Sequence, residues 1–216
     1  MSLTLSSDER LAVSDAPLLT LVDGESGVDL ARAQAAVVDL LTALGRDVTG
    51  PHLADTPRRV AASLLEMLTP REFSMTTFPN EEGYEELVLV RDIPFHSLCE
   101  HHLLPFRGVA HVGYIPGDRI LGISKLARVV ELFASDLQVQ ERLTKQVADY
   151  LQQQLDARGI GVVLEAEHLC MSLRGVQSAG ATTVTSTFLG SLADDAGLRD
   201  RFFTSGTRMS TAAHNA

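Results

Sequence analysis

Phe95-His96-Ser97-Leu98-Cys99-Glu100-His101-His102-Leu103-Leu104-Pro105-Phe106 carries one of the chain's two cysteines and three of its seven histidines. Far downstream, Glu167-His168-Leu169-Cys170-Met171 carries the second cysteine, again with a histidine two positions away. The first stretch lies between two runs rich in aliphatic and β-branched residues, Leu87–Val90 and Val109–Ile115, which read as strands. Cys99 and His102 therefore fall in the connection after the first strand. Cys170 falls at the end of a later strand, Val162 to Cys170. Only a folded sheet can bring the two clusters together.

Working outward from that connection, the periodicity changes on both sides. Upstream, Asp29 to Leu44 reads as a helix. Leu30, Val37, Leu40, Leu41 and Leu44 share one face, and Gly45 stands where a helix ends. Asp55-Thr56-Pro57 opens a second helix, with Thr56 as the N-cap, running to about Leu68 with Val60, Leu64 and Met67 inward. Downstream, Pro116-Gly117-Asp118 is a turn from which Arg119 to Gly122 returns. Ser124 is placed to cap a helix to about Ala134. Gln138 to Ala157 is the longest helix, with Gly159 to stop it, and Thr182 to Leu189 is a last strand. Strands in pairs around two consecutive helices indicate an α+β fold, an antiparallel four-stranded sheet with two helices on one face. The expected divisions are a mobile arm over 1–27, an N-terminal helical region over 28–83, a strand-and-helix domain over 84–203 and a polar tail over 204–216.

Composition narrows the function. Of the 216 residues 45% are hydrophobic and 21% charged, which is ordinary for a globular protein. The net charge of −10 argues against general nucleic-acid binding, which needs a broad basic face. It leaves room for a small anionic ligand held by a local group of Arg and Lys. No apolar run reaches the length of a membrane span, and no basic-then-apolar leader opens the chain, so the expected location is the cytoplasm, where thiols stay reduced.

Two thiols and several imidazoles in two short clusters suit Zn²⁺. Cys99, His102 and Cys170 as three protein ligands would leave a fourth position for water, the open geometry of a catalytic zinc site. His101 and His168 would stand beside the metal as proton carriers. The plainer readings are two small buried hydrophobes, or a Cys99–Cys170 disulfide; the second is disfavoured by the absent leader and the adjacent histidines. Lys125 and Arg128, three apart on a helix, otherwise read as a solvated face, as do Gln140 and Glu141.

Cys99-Glu100-His101-His102, Tyr114-Ile115-Pro116, Gly122-Ile123-Ser124-Lys125-Leu126-Ala127-Arg128, Gln138 to Thr144, and His168-Leu169-Cys170 with Arg174-Gly175-Val176 together resemble the GTP cyclohydrolase I family, from about Asp55 to Phe203. The resemblance implies a tunnelling fold, a homodecamer of two face-to-face pentamers with active sites shared between subunits, and the conversion of GTP to 7,8-dihydroneopterin triphosphate with release of formate. It implies Zn²⁺ at Cys99, His102 and Cys170, with water activated at the metal for attack on C8 of guanine. His101 and His168 would supply acid–base work, and Ser124 would act near the ribose. Glu141 would accept from the N1–H and N2–H₂ edge of guanine with Gln140 assisting. Lys125, Arg128 and Arg174 would hold the triphosphate, with Arg59 reaching in from a neighbouring subunit. Folate, deazapurine and other pterin routes can all start from that product, and allosteric control belongs to the same family expectation.

Two places depart from the family pattern. Ser135 and Asp136 stand before Leu137, and Gln177, Ser178 and Ala179 follow Val176, where basic residues are expected. Two rival functions share the fold: a non-catalytic ring that binds nucleotide or pterin, and an enzyme acting on a different purine or pterin. A binding ring has no use for an open zinc site, and Glu141 keeps the acceptor for a guanine edge.

Overall fold

The computed structural model describes residues 27–206, so the expected arm, apart from Gly27, and the tail beyond Gly206 lie outside the described residues. The chain divides into two compact units, Met1–Arg58 and Arg59–Ala216.

The first unit contains α1 (Leu30–Ala43). Asp29 caps it by accepting from the Arg32 backbone N–H at 2.9 Å. Its far end closes as expected around Gly45, at φ 73°. The Gly45 N–H reaches Thr42 O and the Arg46 N–H reaches Leu41 O, both at 2.9 Å, the paired bonds of a Schellman ending. The apolar face read from the sequence is present but not inward: no residue of α1 is buried, and Leu40 and Leu44 are 58% and 65% exposed. α2 (Thr56–Met67) begins in this unit and continues into the next. Thr56 is its first helical residue, and Arg58 is paired with Asp55 at 2.7 and 2.8 Å.

The second unit is built on β2 (Val88–Cys99), β3 (Pro105–Ile115), β6 (Gly159–His168) and β7 (Thr182–Gly190), each antiparallel to the next. A two-residue strand, β5 (Leu137–Gln138), adds parallel to the end of β2, giving the order β5-β2-β3-β6-β7. A separate pair is formed by β1 (Thr77–Pro79) and β4 (Arg119–Leu121). The fold is mixed α/β, and among the described residues no helix is long and apolar enough to cross a membrane.

One sheet face is covered by α3 (Ser124–Ala134) and α4 (Gln140–Leu155). Alternation along the strands puts Phe106, Ala110, Val112 and Tyr114 of β3, with Ile160, Val162, Leu164 and Ala166 of β6, on that face. Leu126, Val129, Leu143, Val147 and Leu151 meet them from the helices, all fully buried. Truncating any one of these leucines to Ala costs about 2–5 kcal/mol.

Several expectations need correction. The first strand is far longer than Leu87–Val90: it runs through His96 and ends on Cys99, bent by a bulge where Asp92 adopts φ 54°. Ser124 makes no side-chain cap; Ile123 holds the cap position of α3. Asp156, left-handed at φ 46°, ends α4, so Gly159 is free to open β6. Helices also lie on both faces. α6 (Ser191–Asp194) and α7 (Ala196–Gly206) cover one end of the opposite face, where Leu192 and Phe202 join Ile115 and Val163 in a second apolar cluster. Gly113 and Gly161, cross-strand partners, make the room: a Cβ on Gly161 would lie 2.8 Å from the Phe202 ring.

Candidate active site

Cys99 ends β2, and β3 begins at Pro105, so the candidate ligands Cys99 and His102 stand at a tight strand-to-strand turn. The turn is closed by Cys99 N–H to Leu104 O at 2.9 Å and Leu103 N–H to Cys99 O at 2.8 Å. Leu103 takes φ 53°, a conformation an L residue holds only when its surroundings require it. From the other side of β3, β6 delivers His168, opposite Phe106. Cys170 lies two residues further, in the short helix α5 (Leu169–Ser172), not at the end of the strand as the sequence suggested.

The ligand atoms of Cys99, His102 and Cys170 lie within 4.8 Å of one another, and Cys99 Sγ is 3.8 Å from His102 Nδ1. Tetrahedral zinc with bonds of about 2.0–2.3 Å sets its ligands roughly 3.5–3.8 Å apart, so this set fits the ion after small side-chain adjustments. Both cysteines are free and buried, and His102 is exposed, so the group opens toward solvent on its histidine side. Burial pushes the Cys170 thiol up, and the Cys99 thiol beside it adds to that, while Arg174 opposes them. A bound dication reverses this balance by favouring thiolate.

The sequence-identified histidines flank the group. His101 Nδ1 is 3.9 Å from Cys99 Sγ, and its ring is largely exposed. His168 is half-buried, its ring stacked on Phe106 at 4.6 Å between centroids and 2° between planes. Burial holds its pKa below the ordinary imidazole value, and the Glu141 carboxylate partly offsets this. His168 Nε2 is 2.8 Å from Gln140 Oε1. Gln140 and Glu141 open α4, with Gln140 buried and Glu141 exposed in the first turn, where the helix dipole favours an anion.

Of the basic residues, Arg174 acts on the Cys170 thiol from the segment past α5, while the others lie on α2 and α3. Lys125 Nζ lies 5.9 Å over the Phe73 ring, and Arg128 Nη1 is 3.0 Å from Glu131 Oε2. Ser124 is exposed at the start of α3, Arg59 is exposed on α2, and Arg174 is exposed past α5. Asp136, one of the two departures before Leu137, has a structural use: its carboxylate accepts from the Leu137 N–H and its carbonyl from Ser97 Oγ.

Sequence reading missed a clasp beneath the turn. Arg142 Nη2 donates to Glu100 Oε2 and to Leu137 O, each at 2.6 Å, and its Nε donates to Gln138 Oε1 at 3.0 Å. The Glu100 N–H also reaches Gln138 O at 3.1 Å. The clasp ties the Cys99–His102 turn to the helix that presents Gln140 and Glu141. Glu100 inside the Cys-Glu-His-His run was the available signal; Arg142 offered none beyond its place after Glu141.

Residues 33–206 match the family described as GTP cyclohydrolase I. The chain belongs to the GTP cyclohydrolase I family. The match reaches further upstream than the motifs alone suggested, into α1. The GTP cyclohydrolase 1 of Mycolicibacterium gilvum is 54% identical over 174 residues, 77% of this chain and 85% of that protein. That of Corynebacterium glutamicum is 49% identical over 180 residues, covering 81% and 92%. That of Aquifex aeolicus is 49% identical over 175 residues, covering 81% and 95%. An archaeosine synthase of the QueF-like kind, in its apo form, aligns at a TM-score of 0.41 and 15% identity over 49% of this chain and 94% of that one, too slight a likeness to carry weight. As a GTP cyclohydrolase I family member the chain is an enzyme, a hydrolase of pterin and folate synthesis.

Proposed function

We propose that the protein catalyses the zinc-dependent hydrolysis and rearrangement of GTP to 7,8-dihydroneopterin triphosphate with release of formate. The observation that carries the reading is the convergence of Cys99, His102 and Cys170 on one point, with two further histidines beside them. Zinc held there would supply Lewis acidity and a water whose pKa is lowered toward 7. His168 and His101 move protons at the guanine imidazole ring, N7 among the atoms served, as it opens and loses its formyl carbon. Glu141 accepts from the N1–H and N2–H₂ edge, which selects guanine over adenine. Ser124 acts near the ribose, and Lys125, Arg128 and Arg174 hold the triphosphate through charge-assisted bonds.

The functional unit is proposed to be a tunnelling-fold homo-oligomer, a decamer of two pentamers, with Arg59 completing a neighbour's site in the cytoplasm. The sheet supports this. Among the described residues β2 pairs with β5 only at Leu98 and Cys99, and β7 pairs only with β6. Two long open edges on one small sheet are what a ring of sheets satisfies. A cleft of about 570 Å³ beside the β2 edge, lined by Ile93, Phe95 and His96 with Arg71 and Glu131 opposite, leaves space for a neighbour's element.

The deciding experiment incubates purified, zinc-loaded protein with GTP. Formate and a product that becomes fluorescent neopterin on oxidation are expected in equal amounts. Binding of GTP with neither product would favour the non-catalytic ring.

A further inference from the structure

Gln140 is buried at 1% exposure, yet it lies in the first turn of α4 and carries a side chain with two donors and one acceptor group. Its Nε2 lies 2.9 Å from Thr183 O, 3.2 Å from Leu164 O and 3.1 Å from Thr185 Oγ1. Two of those three partners are backbone carbonyls, which only accept. The amide therefore cannot be turned the other way, since that would press Oε1 against two carbonyl oxygens with no proton between them.

The hydroxyls agree with this assignment. Thr144 Oγ1 is 2.7 Å from Gln140 O, another pure acceptor, so the single Thr144 proton is committed there. The contact of 2.6 Å between Thr144 and Thr185 must then be a donation from Thr185, whose lone pair remains to receive the Gln140 N–H. The two Gln140 N–H protons are shared among three acceptors, but every sharing keeps Nε2 toward the two carbonyls and Oε1 away from them, so the direction at the last member follows. Gln140 Oε1 is an acceptor, and the atom facing it at 2.8 Å, His168 Nε2, carries a proton. The parallel Phe106 ring holds the imidazole plane in that orientation.

We infer that Gln140 is a positioning residue that fixes His168 as the Nε2–H tautomer, so that Nδ1 is the atom through which His168 exchanges protons with substrate. This rests on the proposed role of His168 as a proton carrier. It assigns Gln140 a place behind the histidine, not at the guanine edge where sequence resemblance put it, because the amide is buried and both its ends already meet protein partners. It also lets one ring orientation serve both halves of a proton transfer. Nε2–H donates to Gln140 whether or not Nδ1 holds a proton, so nothing need rotate between giving and taking.

The test uses the full-length, zinc-loaded enzyme labelled with ¹⁵N-histidine, with the His168 signals assigned by their loss in His168→Ala. Long-range proton–nitrogen correlation should show the protonated nitrogen of neutral His168 to be Nε2; a ring protonated at Nδ1 would overturn the inference directly. Kinetics give the second arm. Gln140→Leu should keep zinc and the KM for GTP and lose about 10²-fold or more in kcat. Gln140→Glu should recover at least tenfold of that loss, because its protonated acid can donate to Thr183 O while its carbonyl accepts from Nε2–H. A raised KM with kcat preserved in both variants would place Gln140 on the substrate and refute the positioning role. Full activity in His168→Ala would remove the proton carrier itself. An inactive His168→Ala combined with an Nδ1-protonated wild-type ring would sink the tautomer assignment alone.

Discussion

At the scale of single residues, the metal group and its flanking histidines make separable claims. Cys99→Ala, His102→Ala and Cys170→Ala are each expected to lose bound zinc and turnover together while keeping the fold, since the core of the second unit is carried by the sheet, α3 and α4. His101→Ala and His168→Ala should keep zinc and lose turnover. Metal content by plasma emission, read beside product formation, separates the two groups; a zinc-free His168→Ala would mean that a ligand had been mistaken for an acid. Glu141→Gln tests the guanine edge. One acceptor oxygen becomes a donor facing N–H groups, at a cost of about 1–3 kcal/mol in GTP binding. Binding of inorganic triphosphate should barely change, and equal weakening of both ligands would take Glu141 off the base. The grouping of Cys99, His102 and Cys170 as candidate ligands was legible in the sequence because each thiol stands within three positions of a histidine. Phe106 under His168 and Arg142 under Glu100 were not, because both depend on which strand or helix faces which.

At the scale of elements, the sequence read well where periodicity was long and poorly where the chain turned. α1, α3, α4 and β7 fell close to their expected spans. The length of β2 was hidden because Arg91, Asp92 and Pro94 interrupt its apolar run directly after Val90, although strand pairing with His96 opposite Arg107 carries it on toward Cys99. α6 and α7 were invisible, since their burial rests on two residues, Leu192 and Phe202. The junction between Arg71 and α3 gives a pH prediction. Arg71 Nη2 and Arg128 Nη1 both meet Glu131 Oε2, at 2.8 and 3.0 Å, and these guanidinium groups, Arg71 first, hold the Glu131 carboxyl below its ordinary value of 4.5. A depressed folded pKa contributes stability that is present above the unfolded value and lost as pH falls through the folded one. The denaturant midpoint of the native protein should therefore exceed that of Glu131→Gln by a constant amount above about pH 5. The difference should close as pH drops below 4.5. A difference that persists undiminished to pH 3 would show that Glu131 acts through packing and not through its charge.

At the scale of the whole molecule, the proposed shared site can be tested by mixing. Cys170→Ala subunits lack a working metal group, and Arg59→Ala subunits lack the basic residue proposed to reach across. Co-assembled under conditions that exchange subunits, the two should give activity above either parent, because some interfaces then combine an intact metal half with an intact Arg59. If Arg59 serves the metal of its own subunit, every site keeps one defect. An impaired Arg59→Ala that gains nothing from mixing, with exchange verified by native mass spectrometry, would overturn the shared site.

The paired glycines under Phe202 set a limit on how this sequence can vary. Gly113 and Gly161 carry no side chain and no charge, yet a methyl group at either would meet an aromatic ring at 3.2 Å or less. The seat for α7 is thus a notch formed by the absence of side chains, and only one amino acid leaves it open. Drift elsewhere on that sheet face trades one side chain for another, whereas drift here dislodges a whole helix. A gene library selected only for correct chemistry would find these two codons nearly frozen, for a reason that lies wholly in shape.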